Sequence, residues 1–341
     1  MKSHGMPASI SITPSIPEAC PICRASEIVS CPPGRDRLFG RAKGLFALFR
    51  CQACGCVFQH PFPDSSALAE FYPQEYWWSE SPSQENRWAR LFHRLEKAYR
   101  EFVTRDHVRF LNQCVSGRSG SEKLLLDIGC GNGTFLHGAQ KIGFHPHGMD
   151  VSAQAVEIAR AQYGIETRQG EIGDSIWDGK RFDFITMFHV LEHLPDPRRA
   201  LQYVRELLLP SGKLIIQVPN AGSVQARALG RFWYGLDVPR HVINFTPEAL
   251  SHLLREMGFE FYLSTRFSLR DNPASMVSSL VPWLDPVRRK GKSRLGPVSE
   301  GLLEIAYFGL FLLAAPAAIL ESLSGVGGTI WVCAWDKPSK G

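Results

Sequence analysis

The pattern of apolar positions along this chain predicts a parallel β-sheet flanked by helices. Residues 124–128 form a short apolar run with one acid, and such runs are typical of parallel strands that are covered on both faces. Six more strand-like runs follow. They cover residues 144–150, 165–169, 182–188, 214–218, 259–265 and 329–337. We therefore expect an α/β fold with a doubly wound, seven-stranded, mostly parallel sheet.

Helix signals separate most of these runs. Ser152 stands before an amphipathic segment, and Thr246 followed by Pro247 has the residue types of an N-cap and a first helical position. Before the first strand, the apolar spacing of residues 88–103 predicts a long helix that packs on the main domain. The aromatic residues that precede it can belong to the core or line a substrate pocket. They are Tyr72, Tyr76, Trp77 and Trp78.

Three glycines follow the first strand directly. Gly129, Gly131 and Gly133 can adopt backbone angles closed to other residues and leave no Cβ between the main chain and a ligand. Thr134 stands where a dinucleotide-binding G-x-G-x-x-G loop has its last glycine, which argues against NAD. Asp150 ends the second strand, where an acid can accept both hydroxyls of a cofactor ribose.

The segment LLLDIGCGNGTFL, residues 124–136, resembles motif I of the class I S-adenosylmethionine (SAM) dependent methyltransferases. Two later segments, KRFDFITMFHVLEHLPDP and VPRHVINFTPEAL, resemble the ubiquinone-biosynthesis-like methyltransferases and the related type 11 and 23 group. The resemblance implies a Rossmann-like domain that binds SAM and transfers a methyl group. The cofactor residues that it implies are Asp127, Gly129, Gly131, Gly133, Asp150, Glu171, Met187 and Phe188, with Asp174 as the alternative to Glu171.

Three histidines fall on loops that face the cofactor in such a fold. Histidine suits the removal of a proton from a hydroxyl or an acidic carbon near neutral pH. His241 is the first candidate for a catalytic base, because its segment resembles one that carries a catalytic histidine in sugar C-methyltransferases. Arg240 replaces the glutamate of that pattern, which leaves O-methylation open. His189 is the second catalytic candidate, and we expect His193 to be structural.

Arginines and aromatic residues cluster after the fifth strand. Arg227, Arg231 and Arg240 occur with the aromatic run 232–234. Guanidinium groups bind phosphate and aromatic faces stack on sugars or bases, so a phosphorylated glycan or a nucleotide-sugar would fit. The alternative is a set of solvated arginines around a packed aromatic lid.

Two C-x-x-C pairs near the beginning of the chain predict a zinc-ribbon-like module. Cys20 and Cys23 form the first pair, and Cys51 and Cys54 form the second. Two such pairs can close a tetrahedral Zn²⁺ site, and four thiolates leave no position for water, so the metal would be structural. Cys31 or Cys56 could replace one ligand.

Composition limits the classes of partner and compartment. The chain has 341 residues, 44% of them hydrophobic, and a net charge of +5, which by itself does not argue for nucleic acid. Residues 1–17 lack the apolar core of a signal peptide and predict a mobile tail. Nine cysteines without an export signal are expected to be thiols or metal ligands, which favours a cytoplasmic protein.

Between the sixth and seventh strands lies an unusual insertion, residues 271–327. Its basic run, residues 288–294, precedes the apolar segment IAYFGLFLLAAPAAIL, which at about 24 Å as a helix is shorter than the roughly 30 Å hydrocarbon core of a membrane. We expect either a buried helical hairpin or a peripheral element in which residues 288–320 contact a membrane surface or a partner.

These observations divide the chain into a tail (1–17), a zinc-ribbon-like module (18–62), an aromatic segment with a lid helix (63–115), a methyltransferase domain (116–270, completed by 328–341) and an apolar helical insertion (271–327). The function that they predict is SAM-dependent methylation of a sugar, a glycan or a related small or lipid-linked acceptor.

Two alternatives to this function stay open. In the first, an RNA methyltransferase grips nucleic acid with a basic face on the zinc module. That face would use Arg35, Arg37, Arg41, Lys43 and Arg50. In the second, the chain is a non-catalytic SAM-binding or membrane scaffold protein. The sequence leaves the acceptor, the methylated atom and the oligomeric state open.

Overall fold

The computed structural model describes residues 15–63, 70–71, 101–115, 123–289 and 297–336. Two β-sheets organise this part of the chain, one with seven strands and one with four. The four aromatic residues Tyr72, Tyr76, Trp77 and Trp78, most of the expected lid helix and most of the basic run lie outside the described residues.

The seven-stranded sheet has the predicted doubly wound, mostly parallel topology. Its strands are β4 (Lys123–Ile128), β5 (Phe144–Asp150), β6 (Glu166–Gln169), β7 (Phe182–Phe188), β8 (Leu208–Pro219), β10 (Phe259–Arg266) and β11 (Thr329–Asp336). They lie in the order β10-β11-β8-β7-β4-β5-β6, with β11 antiparallel to both of its neighbours. The strand order reverses at β4 and β7, where a doubly wound sheet binds its ligand beyond the carboxyl ends of the strands.

Helices connect these strands. They are α1 (Arg105–Cys114), α2 (Thr134–Lys141), α3 (Ala153–Tyr163), α4 (Pro197–Leu207), α5 (Val224–Leu229), α6 (Pro247–Glu256), α7 (Asn272–Leu280), α8 (Pro286–Arg289) and α9 (Pro297–Leu323). Both predicted N-caps are confirmed, because the Ser152 side chain accepts a hydrogen bond from Ala155 N and the Thr246 side chain accepts one from Ala249 N. Pro247 occupies the first turn of α6, as expected.

The smaller sheet joins the N-terminal residues to the main domain. Strands β1 (Ile28–Gly34), β2 (Phe46–Cys51) and β3 (Val57–Gln59) form an antiparallel meander. Its fourth strand, β9 (Ile243–Asn244), comes from the segment just after His241 and pairs antiparallel with β3. The N-terminal module is therefore built onto the segment that carries the expected base.

Helix α9 is longer than the uncharged run from which its length was predicted. It has 27 residues, about 40 Å as a helix, because helical structure continues beyond both ends of the uncharged run. Residues Gly301–Leu323 are long and apolar enough to cross a membrane by length and composition, and 11% of their most apolar window is buried. The interpretation as a buried hairpin is therefore wrong. The expectation that the apolar segment is too short to cross a membrane is also wrong, because the helix continues beyond the uncharged run.

One face of α9 nevertheless docks on the protein. Phe311 is 5% exposed and Ala318 is fully buried. The carboxylate of Glu304 lies 2.7 Å from Arg289 Nη2, and that of Glu321 accepts hydrogen bonds from Gln225 N and Nε2. The acids that interrupt the apolar run therefore fix the helix in place, while its opposite face stays exposed.

Candidate functional site

The glycine loop leaves β4 in a conformation that only glycine adopts readily. Gly129 has a φ of +76°, and a Cβ built there would lie 2.4 Å from a methyl group of Val190. Gly131 has a φ of +50°, but a Cβ at this position would meet no atom within 4 Å. The loop is therefore packed on one side at Gly129 and open on the other at Gly131, as a ligand cradle requires.

Two buried carboxylates flank the loop. Asp150 Oδ2 accepts a hydrogen bond from Gly131 N at 2.9 Å, and its Oδ1 accepts one from Ser152 N at 2.9 Å. Asp127 accepts a hydrogen bond from Thr186 Oγ1 at 2.6 Å. Burial raises the pKa of Asp150 to about 6, and burial together with the charge of Asp150 raises the pKa of Asp127 to about 8.

The other expected cofactor residues lie around the same loop or at the strand ends beside it. Gly133 is the N-cap of α2, and Glu171 is exposed just after β6, with its backbone N–H bonded to Asp174 Oδ2. Met187 is fully buried in the core. Phe188, the last residue of β7, stacks on the ring of His107 with a centroid distance of 4.3 Å. Since neighbouring strand residues face opposite sides of a sheet, Met187 and Phe188 point in opposite directions.

His189 follows β7 in a strained backbone conformation, with a φ of +56°. Its Nε2 lies 3.2 Å from Asp271 Oδ2, and its Nδ1 lies 3.4 Å from Glu192 Oε1. Burial alone would lower the pKa of His189, but these two carboxylates raise it to about 9. His189 is therefore a cation at neutral pH, and it must lose a proton before it can act as a base.

His241 is held by a backbone carbonyl instead of by a short carboxylate contact. Its Nδ1 lies 2.7 Å from the carbonyl oxygen of Gly235, an acceptor that requires a proton on Nδ1. In the neutral ring Nε2 then carries the lone pair and can accept a proton. His193 packs edge-on against this ring at a centroid distance of 4.6 Å, and its Nδ1 bonds the carbonyl of Arg240. Burial lowers the pKa of His193 to about 4.

Two acids in this site were not singled out from the sequence. Glu192 is fully buried, and its Oε1 lies 3.9 Å from His241 Nε2 as well as close to His189. Asp271 follows β10 and accepts hydrogen bonds from Ser268 Oγ and Gln217 Nε2 in addition to its pairing with His189. Glu192 stands three residues after His189, and this spacing is a local signal that could have identified it. The distance of 82 residues between His189 and Asp271 left no local signal for the other.

Arg240 does not serve as a free phosphate-binding arginine, so that prediction is wrong for this residue. Its side chain is fully buried and pairs with Asp237 and Asp36, and the guanidinium carbon lies 4.7 Å from the centre of the Phe39 ring. The buried carboxylates hold the guanidinium in place. Arg240, which stands where the sugar-methyltransferase pattern has a glutamate, therefore anchors the loop that carries His241.

The four predicted metal ligands converge. The sulfur atoms of Cys20, Cys23, Cys51 and Cys54 all lie within 4.8 Å of one another. The Sγ atoms of Cys20 and Cys54 are 3.7 Å apart, and those of Cys23 and Cys51 are 3.4 Å apart. Four thiolates at about 2.3 Å from a tetrahedral zinc ion lie about 3.8 Å from one another, so the cluster fits Zn²⁺.

A fifth thiol lies beside this cluster. The Sγ of Cys56 is 3.5 Å from Cys20 and 3.4 Å from Cys54. Cys31 stands apart on β1. A separate group, Glu192, His193 and His241, brings three further ligand atoms within 4.8 Å of one another.

Sequence comparisons connect this chain to methyltransferases. A family model described as a methyltransferase domain matches residues 91–264. The O-methyltransferase resE of Aspergillus sclerotiorum is 30% identical over 252 residues, which are 71% of this chain and 85% of that protein. A ubiquinone biosynthesis O-methyltransferase of Alkalilimnicola ehrlichii is 34% identical over 119 residues, which are 33% of this chain and 47% of that protein.

This chain spans about half the length of the ubiquinone biosynthesis enzymes that it matches. Among solved structures, a SAM-dependent methyltransferase of Archaeoglobus fulgidus is 20% identical, with 69% of this chain and 93% of that chain covered and a TM-score of 0.44.

Proposed function

Because the chain belongs to the methyltransferase-domain family of SAM-dependent enzymes, we propose that it transfers a methyl group from SAM to a sugar, a glycan or a related small or lipid-linked acceptor. The observation that carries the proposal is the open glycine loop between two buried carboxylates, beside a cluster of histidines. The two relatives described above are both named O-methyltransferases, which favours an oxygen as the methylated atom.

In this proposal SAM lies along the glycine loop. Asp150 accepts the ribose hydroxyls, and the open face of Gly131 receives the methionine end beside Asp127. Glu171 stands near the adenine, and Met187 and Phe188 contribute to the end of the site at β7. Bound SAM supplies an activated methyl group on a sulfonium ion, so the protein has to position the acceptor and remove its proton.

His241 takes that proton in the proposed mechanism. Its Nδ1 donates a hydrogen bond to the Gly235 carbonyl, so the lone pair of Nε2 would accept the proton of the acceptor's hydroxyl. Glu192, 3.9 Å from that nitrogen, would stabilise the imidazolium that forms. His189 contributes as a fixed cation held by Asp271, which favours an electronegative acceptor atom in front of it.

The N-terminal cysteine cluster is proposed to bind one structural zinc ion. All nine cysteines are free thiols, and four of them have the spacing that a tetrahedral ion requires. A reduced cytoplasmic compartment would keep these thiols available to the metal.

Helix α9 is proposed to rest on a membrane surface. Eight of its exposed side chains are large and apolar: Leu302, Ile305, Phe308, Leu312, Leu313, Ile319, Leu320 and Leu323. In the sequence the basic run 288–294 stands immediately before this helix, and cationic residues beside an apolar face suit an anionic lipid surface. Such a surface would also bring a lipid-linked acceptor to the enzyme.

Calorimetry with SAM tests the cofactor site. Gly131→Arg should abolish binding by filling the open face of the loop, and Asp150→Ala should weaken it by roughly 1.5 to 3 kcal/mol through loss of charge-assisted hydrogen bonds. Unchanged affinity in both variants would contradict the assignment.

Transfer of a labelled methyl group into fractionated polar and lipid extracts tests the activity, with the Gly131→Arg protein as the blank. Intact SAM binding without transfer to any fraction would favour the non-catalytic alternative.

A further inference from the structure

Four arginines converge on one pocket next to the His241 loop. The pocket opens to solvent, and its enclosed space is about 30 Å³. It lies where the N-terminal module meets residues 231–238 and the helices α7 and α8. Its arginines are Arg35, Arg37, Arg231 and Arg288. The sequence predicts Arg231 as a phosphate ligand, and it places Arg35 and Arg37 on the basic face of the RNA alternative.

Within the described residues none of the four guanidinium groups lies within ion-pair distance of a carboxylate. Arg37 instead donates to two backbone carbonyls, those of Phe232 and Ser279. Burial and the positive charge of Arg288 lower the pKa of Arg37, so the like charges repel across the pocket. Arginine clusters that are held together without counter-charges are a common anion-binding arrangement.

The two acids that line the pocket are already engaged. Asp237 forms an ion pair with Arg240 Nη2 at 2.6 Å. Asp285 accepts hydrogen bonds from the Ser278 hydroxyl and, at 3.0 Å, from Arg288 N. Burial raises the pKa of Asp285 above its usual value. An entering anion therefore meets an excess of positive charge.

One aromatic ring, that of Phe232, contacts two of the arginines. The guanidinium carbons of Arg37 and Arg231 lie 5.2 Å and 4.9 Å from the centre of the Phe232 ring. Stacking on a ring holds a guanidinium plane while its N–H groups stay available. Trp233 and Tyr234 form part of the wall, and Tyr234 N is fixed by a hydrogen bond to Ser279 Oγ at 2.8 Å.

We propose that this pocket binds the phosphate or diphosphate group of the methyl acceptor. The inference rests on the proposed methyltransferase function and names its substrate class. Four guanidinium groups around a small volume match the charge and the many acceptor oxygens of a diphosphate better than those of a single carboxylate. A nucleotide-linked and a lipid-linked sugar share this group.

The position of the pocket connects it to the reaction. Asp237 lines the pocket, and its backbone carbonyl accepts a hydrogen bond from His241 N at 3.0 Å. Gly235, in the same loop, holds the Nδ1 of His241. A diphosphate in the pocket would therefore anchor one end of the acceptor beside the loop that positions the base.

Calorimetry with inorganic diphosphate tests the pocket directly. The wild-type protein should bind it, with an affinity that falls as salt is raised. Arg231→Ala and Arg288→Ala should each weaken binding by about tenfold or more, because each removes a hydrogen-bonding cation. The matched control is Arg181→Ala, since Arg181 is exposed and its side chain bonds the Lys180 carbonyl. That variant should bind like the wild type.

Failure of this inference differs from failure of the proposed function. Two results would contradict the diphosphate site while SAM binding stays intact. The wild type would not bind diphosphate, or Arg231→Glu and Arg288→Glu would bind it as well as the wild type does. If uridine diphosphate displaces inorganic diphosphate, the result would support the site and favour a soluble nucleotide-linked acceptor. If only vesicles that contain a lipid phosphate displace it, the result would support the site and favour a lipid-linked acceptor.

Discussion

The Arg240 side chain joins the His241 loop to the N-terminal module through Asp36. Arg240 Nη2 donates to Asp36 Oδ1 at 3.0 Å, and both side chains are fully buried. Asp36 also accepts hydrogen bonds from the backbone of Phe39 and Arg41. Burial alone would raise the pKa of Asp36, but Arg240 and the N–H groups of Ala42 and Phe39 hold it below its usual value. The module thus acts as a support for the loop that carries the proposed base.

We expect Asp36→Ala to destabilise the protein by about 3–5 kcal/mol, because it leaves a buried cation short of one partner. Urea unfolding measures this loss. Arg24→Ala is the control: it removes an ion pair with Glu256 at 2.6 Å in which Arg24 is 70% exposed, and such pairs contribute at most about 1 kcal/mol. If the two substitutions lower the free energy of unfolding equally, the buried Arg240–Asp36 pair contributes no more to stability than an exposed pair.

Zinc removal should act on the same loop. Replacing Cys51 and Cys54 by Ser is expected to abolish binding of one zinc ion per chain and to loosen the module, because metal binding contributes its folding energy. The carbonyl of Cys54 accepts a hydrogen bond from Thr246 Oγ1 at 2.6 Å, just after β9, so turnover should fall as well. Metal analysis and activity check this, with Cys31→Ser as the control that should retain zinc. Native protein with no zinc and four titratable thiols would contradict the prediction.

The strand pattern and the glycine loop could be predicted from the sequence because their signals are local. Strand-like runs located every strand of the large sheet, and Ser152 and Thr246 marked two helix starts correctly. Pairings over long distances could not be predicted in this way. Nothing near Arg240 indicated that Asp36 would neutralise it, and nothing near His189 pointed to Asp271.

The insertion was misjudged for a similar reason. Glu304 and Glu321 stand directly before and after the uncharged run 305–320, and a charged residue usually ends such a run. Their partners, Arg289 and Gln225, lie on other elements, so the helix continues past both acids. Exposure of the apolar face could not be read from composition, since a buried helix and a membrane-facing helix have the same residue types.

SAM binding should release a proton near pH 7 if Asp127 faces the positively charged cofactor. The pKa of this carboxyl is raised to about 8, so it is mostly protonated at pH 7, and a cation beside it favours the ionised form. The affinity should therefore rise about tenfold between pH 7 and pH 9 as the ionised fraction grows. Calorimetry in buffers of different ionisation enthalpy measures the proton, and the Asp127→Asn variant should lose most of this pH dependence. Equal pH profiles for the two proteins would exclude Asp127 as the source.

Vesicle flotation tests the membrane contact of α9. Leu313 and Leu320 are 76% and 67% exposed, so replacing both by Asp should abolish co-flotation with anionic vesicles without unfolding the protein. Ile142→Asp, at an exposed position on the far end of α2, is the control and should float like the wild type. High salt should reverse binding only partly, because the basic run is screened while apolar burial is not. Wild-type protein that stays in the aqueous fraction at low salt would contradict membrane contact.

His241→Ala should separate proton removal from cofactor binding. If His241 is the general base, this change should leave SAM affinity nearly intact and lower turnover by about 10² to 10⁴ fold, the usual effect of a positioned base.

Glu192→Gln should lower turnover less, since it removes only the charge that stabilises the imidazolium. His193→Ala should act mainly through stability, because its Nδ1 supports the Arg240 carbonyl. If His241→Ala keeps wild-type turnover while His189→Ala loses it, the reaction depends on the cation at the end of β7. If both variants keep it, neither histidine takes the acceptor's proton, and positioning by the diphosphate pocket and the cofactor accounts for catalysis.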